Sequence, residues 1–333
     1  MTGIATALAL LAAAGLAAPD GPPEARDAQA ACPALRWTTL GTAGGPVPTA
    51  ERSEPANLLH AGGRAILVDT GDGTVGQLAR AGHSVGEVDA IFLSHLHLDH
   101  TAGLAAVIGL RWMNEFPGTI TVYGPRGTAE VVEGILASLG PPSRIGFGLG
   151  TSPPSPWAGV RVRELGDGDR VELDALAVSA AANSHFVRPG GAGGDPGTTS
   201  LSYRFALGDR SITYTGDTGP SAAVADLASG SDLLVSEVIA LEPLMAEIAR
   251  RRTDASAEHR EQMRQHLSTH HVAPEEVGAM AAAAGVGHVV LTHYAIPGPL
   301  GMNEAYLRDG VRRRFSGPLD LARDLSSFDV GCR

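Results

Sequence analysis

The chain of 333 residues is 44% hydrophobic, which is enough for one large domain with a well-buried core and excludes general disorder. All 25 basic residues are arginine, and 36 acidic residues give a formal net charge of −11. Because a nucleic-acid-binding protein neutralises phosphates with clustered Lys and Arg, this balance argues against nucleic acid as a partner, and we interpret the arginine runs at residues 250–252 and 312–314 as solvated helix faces.

The N-terminal segment has the pattern of a secretory signal peptide. Residues 5–18 are apolar, a run of about fourteen residues that is too short to span a bilayer. A Pro/Gly/acidic segment follows and ends at Ala30 in an Ala-x-Ala sequence, which is typical of a cleavage site. We therefore predict a signal peptide over residues 1–30, one globular domain over residues 31–333, a periplasmic or secreted location and no stable membrane span.

The two cysteines, Cys32 and Cys332, would lie at opposite ends of the mature chain. Disulfides persist in exported proteins, and chain termini often lie close together. We therefore hypothesise a disulfide between Cys32 and Cys332, with two free thiols as the alternative.

The first half of the mature chain alternates between strand and helix patterns after a strand-like start at Leu35. Strands are predicted from β-rich or apolar runs at residues 65–68, 90–93 and 119–123. Helices are predicted at residues 74–81, 101–110 and 127–139. Residues 141–159 are rich in Pro, Gly and Ser, which predicts a long connection at the midpoint of the fold.

The second half begins with consecutive strand patterns and ends with alternating strands and helices. Strands are predicted at residues 160–164, 170–173, 175–182, 200–207, 211–215, 232–236 and 288–291. Helices are predicted at residues 220–228 and 274–284. Two halves that each supply a sheet covered by helices predict an α/β fold of the four-layer αββα sandwich type, built as one domain.

The strongest chemical signal is the run HLHLDH at residues 95–100, directly after a predicted buried strand. Its three imidazoles and one carboxylate are ligands that zinc and similar metals prefer. In an extended segment His95 and His97 point to the same side, and the turn through Asp99 and His100 directs a second pair towards a neighbouring position. One loop can thus begin two metal sites, whereas a set of structural or surface histidines is the alternative.

This run resembles the signature His-x-His-x-Asp-His of the metallo-β-lactamase superfamily, and the resemblance extends from about residue 35 to about residue 315. It implies two zinc ions, with Mn²⁺ or Fe²⁺ as alternatives, and a set of metal ligands. These are His95, His97 and His185 for one metal, Asp99, His100 and His293 for the other, and Asp217 between them. It also implies that Asp69, at the end of the preceding strand, orients the histidines of the metal loop.

The residues around Asp217 and Glu237 and a His-rich segment before a Pro-Glu-Glu sequence resemble one branch of the superfamily. That branch contains tRNA 3′-processing endonucleases and arylsulfatase-like enzymes, in which a glutamate orients a histidine that stabilises an oxyanion. The resemblance therefore implies Glu237 and His271 as catalytic residues beside Asp99, with His270 as the competing histidine. No cysteine lies near the ligand positions, unlike in several true β-lactamases.

A water held between two divalent ions has a pKa near neutrality, and the ions also clamp the oxygens of the group under attack. The metal site thus predicts a hydrolase that uses a metal-bridging hydroxide. The predicted export, the acidic balance and the lack of a separate basic exosite arm argue against RNA processing. We therefore expect a small-molecule anionic ester, an aryl sulfate or a phosphodiester, as substrate of an arylsulfatase-like or phosphodiesterase-like enzyme, and no nucleic acid as partner.

Two other function classes stay open from the sequence. One is a hydrolase of lactones or β-lactams, because the same site suits attack on an acyl carbon. The other is a non-catalytic or diiron redox metal-binding module, although the chain has no flavodoxin-like second domain. A homodimer is considered as well, because members of the superfamily often dimerise.

Overall fold

The computed structural model of the protein describes residues 34–145, 154–187 and 197–331. The predicted signal peptide and the two cysteines, Cys32 and Cys332, lie outside these residues, so the signal peptide, the domain boundary and the disulfide stay predictions. In the described part the chain forms fourteen β-strands and ten α-helices. None of those helices is long and apolar enough to cross a membrane.

The first sheet contains seven strands. They are β1 (Leu35–Gly41), β2 (Ala56–Ala61), β3 (Arg64–Thr70), β4 (Val88–Phe92), β5 (Ile120–Gly124), β6 (Val160–Glu164) and β14 (Ser326–Val330). Their order across the sheet is β14-β1-β2-β3-β4-β5-β6. The pairs from β14 to β3 are antiparallel, whereas β3 to β6 run parallel. Because parallel strands end at the same edge, the segments that follow β3 and β4 lie side by side.

The second sheet also contains seven strands. They are β7 (Arg170–Leu173), β8 (Leu176–Ala182), β9 (Leu201–Leu207), β10 (Arg210–Tyr214), β11 (Leu233–Ile239), β12 (Val289–Ala295) and β13 (Leu319–Leu321). They lie in the order β13-β12-β11-β10-β9-β8-β7. Strands β7 to β10 are antiparallel, and β10 to β13 run parallel.

The helices divide between the two halves of the chain. Those of the first half are α1 (Thr74–Arg80), α2 (Leu98–Thr101), α3 (Leu104–Met113), α4 (Thr128–Ser138) and α5 (Gly140–Ile145). Those of the second half are α6 (Ala222–Leu227), α7 (Leu241–Arg251), α8 (Ala257–His270), α9 (Pro274–Ala284) and α10 (Leu300–Arg312).

The main core lies between the two sheets. Its largest side chains are aromatic and come from both sheets, and the ring centroids of Trp37 in β1 and Tyr214 in β10 are 5.5 Å apart. A second apolar cluster, including Leu78 and Ile108, joins α1, α3 and α4 to the outer face of the first sheet. A third, including Val277, joins α6, α9 and α10 to the second sheet. These layers confirm the predicted αββα sandwich.

Two stretches of the sequence fold in ways that their composition did not predict. Residues 141–159, predicted as a connection, are partly helical, because Pro141 and Pro142 occupy the first turn of α5, where an N–H has no helical partner in any case. Residues 257–270 form α8, although their sequence carries little apolar periodicity. The arginine run at residues 250–252 ends α7, and Arg250 is 74% exposed and pairs with Glu247.

Candidate metal centre

The candidate ligands meet at one edge of the sandwich because each follows or ends a strand. His95 comes just after β4, and His97 precedes the first turn of α2. His185 follows β8, and Asp217 follows β10. His293 lies near the end of β12. The two sheets therefore bring these side chains together from opposite sides of the core.

One group of nitrogen atoms belongs to His95, His97 and His185. His97 Nδ1 lies 3.0 Å from His95 Nε2 and 3.2 Å from His185 Nε2. Burial lowers the pKa of His95 well below its ordinary value and lowers that of His185 to about 3. These imidazoles are therefore neutral and present lone pairs, which is the form that a metal ion binds.

A second group belongs to Asp99, His100 and His293. The two Nε2 atoms of His100 and His293 are 3.2 Å apart, and Asp99 Oδ2 lies 3.6 and 3.8 Å from them. Burial lowers the pKa of His100, but Asp217 and Asp69 outweigh this effect and hold the pKa well above its ordinary value. The surroundings of His100 thus favour a positive charge, which a metal ion supplies as well as a proton does.

Asp217 lies between the two groups and presents one oxygen to each. Its Oδ1 is 3.3 Å from His100 Nε2 and 3.1 Å from His293 Nε2. Its Oδ2 is 4.0 Å from His95 Nε2 and 3.9 Å from His185 Nε2. Asp217 Oδ1 is buried and has no hydrogen-bond partner among the described residues. Because such an oxygen is costly to bury without a partner, the arrangement fits divalent cations held by both groups.

Hydrogen bonds to the far side of two imidazoles set their orientation. His100 Nδ1 donates to Asp69 Oδ2 at 2.8 Å, and Asp69 also accepts from Ser94 N at 2.7 Å and Tyr214 OH at 2.8 Å. His185 Nδ1 donates to the His270 carbonyl at 2.9 Å. Both rings thus keep Nε2 turned towards the centre, the usual arrangement around metal-binding histidines.

Two residues at the centre have a positive φ angle, in the left-handed region that favours glycine. Asp69 has φ 58° and His293 has φ 43°. This conformation costs free energy in residues with a side chain, and it persists where the surrounding contacts enforce it, as at functional sites. Packing at the end of β3 and at the end of β12 therefore stabilises the placement of both side chains.

Glu237 and His271 form a pair beside this centre. Glu237 lies in β11, fully buried, with Oε2 2.8 Å from His271 Nδ1 and Oε1 accepting from Thr218 N at 2.6 Å. Burial lowers the pKa of His271, but the charge and hydrogen bond of Glu237 outweigh it and raise this pKa to about 9. One His271 nitrogen also lies within 4.8 Å of donor atoms of His185 and Asp217. His271 therefore faces the centre as a protonated imidazole.

His270, the competing histidine, is turned to a different environment. Its Nε2 lies 3.0 Å from the Val187 carbonyl, and its Nδ1 lies 2.8 Å from His266 Nδ1. Its own carbonyl accepts from His185. Of the two adjacent histidines, the structure thus brings only His271 to Glu237.

Close contacts around Asp99 and an aromatic neighbour were not identified from the sequence. A Cβ at Gly45 would lie 2.1 Å from Asp99 Oδ2, and one at Gly71 would lie 2.2 Å from the Asp99 carbonyl. Phe186 directly follows His185 and contacts its ring, with centroids 4.8 Å apart. Both glycines stand in turn sequences, but a turn pattern does not reveal what packs against the turn.

Comparisons with known proteins show which family the chain matches. A family model described as a beta-lactamase superfamily domain matches residues 64–294. A relative named Ribonuclease Z from Mycolicibacterium paratuberculosis (strain ATCC BAA-968 / K-10) is 33% identical over 304 residues, which are 89% of this chain and 98% of that protein. Another from Mycobacterium marinum (strain ATCC BAA-535 / M) is 32% identical over 304 residues, 90% of this chain and 100% of that protein.

Among solved structures, the metallo-beta-lactamase fold protein YhfI from Bacillus subtilis has a TM-score of 0.64 at 20% identity, covering 90% of this chain and 100% of its own. Human tRNase Z, short form, has a TM-score of 0.59 at 21% identity, covering 88% and 98%. At these identities the two structures support the fold alone, and both have the predicted fold.

The relatives named Ribonuclease Z contradict the expected substrate and partner. The prediction of a small anionic ester as substrate, without a nucleic-acid partner, was wrong, and an arylsulfatase-like activity, a lactone or β-lactam hydrolase and a redox module gain no support. The physical reason is that a net charge of −11 describes the whole chain, whereas bound cations set the local charge at a metal site. The periplasmic or secreted location stays a prediction.

The match over residues 64–294 and the relatives of more than 30% identity agree with the ligand-like cluster at the sheet edge. Hydrolases of this fold bind divalent metals, typically zinc. The chain belongs to the metallo-β-lactamase superfamily and is a hydrolase of that fold.

Proposed function

We propose that the protein is a metal-dependent ribonuclease that hydrolyses a phosphodiester bond in RNA, with a 3′-extended precursor tRNA as its substrate. The observation that carries this proposal is the similarity to relatives named Ribonuclease Z, which spans 98% to 100% of their length at 32% to 33% identity. The name tRNase Z of a structural neighbour supports the choice of RNA.

We further propose that the centre holds two zinc ions. His95, His97 and His185 would hold one, and Asp99, His100 and His293 the other, with one oxygen of Asp217 directed to each. When bound, the ions would neutralise the charge of a phosphodiester and lower the pKa of water to near neutrality.

The pair Glu237–His271 is suited to protonating the leaving group of the reaction. Hydrolysis forms a bond from a water oxygen, which loses a proton to solvent, to phosphorus. It breaks the bond from phosphorus to a ribose oxygen, which must gain a proton. His271 Nδ1 is committed to Glu237, so Nε2 is the atom that can give its proton to the leaving oxygen. The pKa of about 9 keeps that proton in place at neutral pH.

The proposal is tested by incubating the zinc-loaded protein with a 3′-extended precursor tRNA and resolving the products on a gel. Cleavage that a chelator abolishes and zinc restores is the expected result. Replacement His97→Ala should abolish cleavage, whereas His288→Ala is the matched control, because His288 pairs with Asp320 away from the centre. Zinc-loaded protein that leaves the tRNA intact would contradict the proposal.

A further inference from the structure

Phe186 packs directly against one side of the candidate metal centre. Its ring centroid lies 4.8 Å from that of His185, 5.1 Å from that of His97 and 5.6 Å from that of His95. The ring is nearly perpendicular to His97, at 86°. Phe186 is only partly buried, so some of the ring stays accessible beside His97, which is itself exposed.

Two further apolar side chains are exposed in the same segments. Leu98 stands between His97 and Asp99 in the chain and is 75% exposed, and Val187 follows Phe186 and is 59% exposed. A single exposed apolar residue is ordinary. Here both residues adjoin candidate ligands in the chain, because Leu98 follows His97 and Val187 lies two residues after His185. The centre therefore combines polar ligands with one partly accessible aromatic ring, that of Phe186, on the His97 side.

If the substrate is RNA, as proposed, its nucleobases are groups that can bind to the Phe186 ring. A phosphodiester in RNA carries a nucleoside on each side, and single-stranded bases stack on aromatic side chains. Phenylalanine offers a ring without hydrogen-bonding groups, so it supports stacking on any base and reads no particular sequence. An accessible aromatic ring next to a phosphate site is therefore suited to stack on a nucleobase that adjoins the scissile bond.

We propose that Phe186 is a base-binding residue, on whose ring a base next to the scissile phosphate stacks. This inference rests on the proposed ribonuclease function. It assigns to the His97 side of the centre a base-binding subsite, distinct from the ligands and from the pair Glu237–His271.

The same ring contacts would also serve packing alone, since Phe186 supports three imidazoles. Variants separate the two roles. Phe186→Leu keeps an apolar side chain against the imidazoles but removes the aromatic face. Zinc content is then measured by mass spectrometry. If Phe186 only holds the imidazoles in place, its replacement should reduce the amount of bound zinc. Phe116→Leu is the matched control, since Phe116 is 37% exposed and follows α3 on the outer helix layer.

The experiment tests whether the effect of removing a substrate base depends on the residue at position 186. Precursor tRNAs carry an abasic ribonucleotide at either position flanking the cleaved bond, and kcat/KM is measured for each with wild type, Phe186→Leu and Phe116→Leu. For wild type and Phe116→Leu we expect base removal at one position to lower kcat/KM by about 5- to 100-fold. For Phe186→Leu, with unchanged zinc content, we expect the same removal to change kcat/KM less than about twofold.

The outcomes distinguish this inference from the proposed function. If wild type cleaves the intact tRNA and base removal costs Phe186→Leu as much as it costs wild type, the subsite is wrong while the ribonuclease function stands. Loss of zinc from Phe186→Leu, with an unchanged base effect in the zinc-restored variant, assigns Phe186 to packing and overturns the subsite as well. If zinc-loaded wild type cleaves no tRNA, the ribonuclease function fails and the subsite fails with it.

Discussion

Asp69 Oδ2 and His100 Nδ1 lie 2.8 Å apart, fully buried, and this hydrogen bond turns His100 Nε2 towards the second group of candidate ligands. Orienting partners of this kind typically contribute 10- to 100-fold to metal affinity. We therefore expect Asp69→Asn to weaken zinc binding by about 10- to 100-fold, measured by titration with a competing chelator. Asp320→Asn, which alters the exposed pair with His288, should leave the affinity unchanged, and equal losses in both variants would contradict the role of Asp69.

The proposed role of His271 as proton donor predicts that the effect of its replacement depends on the leaving group. A ribose alkoxide needs a proton when it leaves, whereas a nitrophenolate does not. His271→Ala should therefore lower the cleavage rate of RNA by about 10²- to 10⁴-fold but that of bis(p-nitrophenyl) phosphate by less than about tenfold. Equal losses on both substrates would assign His271 to binding or folding instead.

The pH profile tests the coupling of Glu237 to His271. The pKa of about 9 means that His271 is protonated below this pH and loses its proton above it, so the rate of RNA cleavage should fall as the pH rises past about 9. Glu237→Gln removes the negative charge that raises the pKa, so the fall should begin at lower pH. A pH profile of kcat that is identical in wild type and Glu237→Gln would rule out this coupling.

The close approach of Gly45 to Asp99 predicts a steric effect on the second proposed metal ion. A Cβ at position 45 would overlap Asp99 Oδ2 at 2.1 Å, whereas one at Gly76, inside α1, meets no atom within 4 Å. We expect Gly45→Ala to lose about one zinc ion per chain and most activity, and Gly76→Ala to keep both ions. Zinc content by mass spectrometry checks this, and full retention in Gly45→Ala would contradict it.

The hypothesis of a terminal disulfide predicts a thiol count and a stability change. Leu35 in β1 pairs with Val330 in β14, so the described strands nearest to Cys32 and Cys332 are neighbours. We expect an assay in denaturant without reductant to detect no free thiol, and reduction to lower the free energy of unfolding by about 5 to 6 kcal/mol on the chain-entropy model. Cys332→Ser should reproduce that loss, and two reactive thiols in wild type would exclude the bond.

The fold and the candidate ligands could be predicted because their signals are local. The buried run that becomes β4 and the histidines that follow it are adjacent in sequence, and the same holds for β10 with Asp217 and β12 with His293. The superfamily and the four-layer fold were therefore recognised and are confirmed. The structure also brings all seven candidate ligands together, while their role as ligands stays a prediction for metal analysis to test.

The substrate and several contacts could not be predicted, because they depend on arrangement in space. Net charge is a sum over the chain and does not describe the electrostatic potential at one edge of a sheet. For this reason the exclusion of nucleic acid on the basis of net charge was wrong. His270 and His271 are adjacent, and the sequence alone does not show which of them faces Glu237. Their side chains point in different directions because α8 ends at His270 and the backbone of His271 is extended. The approach of Gly45 to Asp99 is likewise a contact between distant segments.

The pairing of β14 with β1 joins residues that are 293 positions apart, as Arg36 and Asp329 are. During synthesis this edge of β1 has no partner until β14 has emerged, and contacts between such distant segments form slowly. An unpaired strand edge invites association with other chains. Without β14, the seven-residue strand β1 would become the sheet edge in place of the five-residue β14. A product that lacks these five residues would therefore associate with other chains more readily, although the candidate metal ligands would all be present.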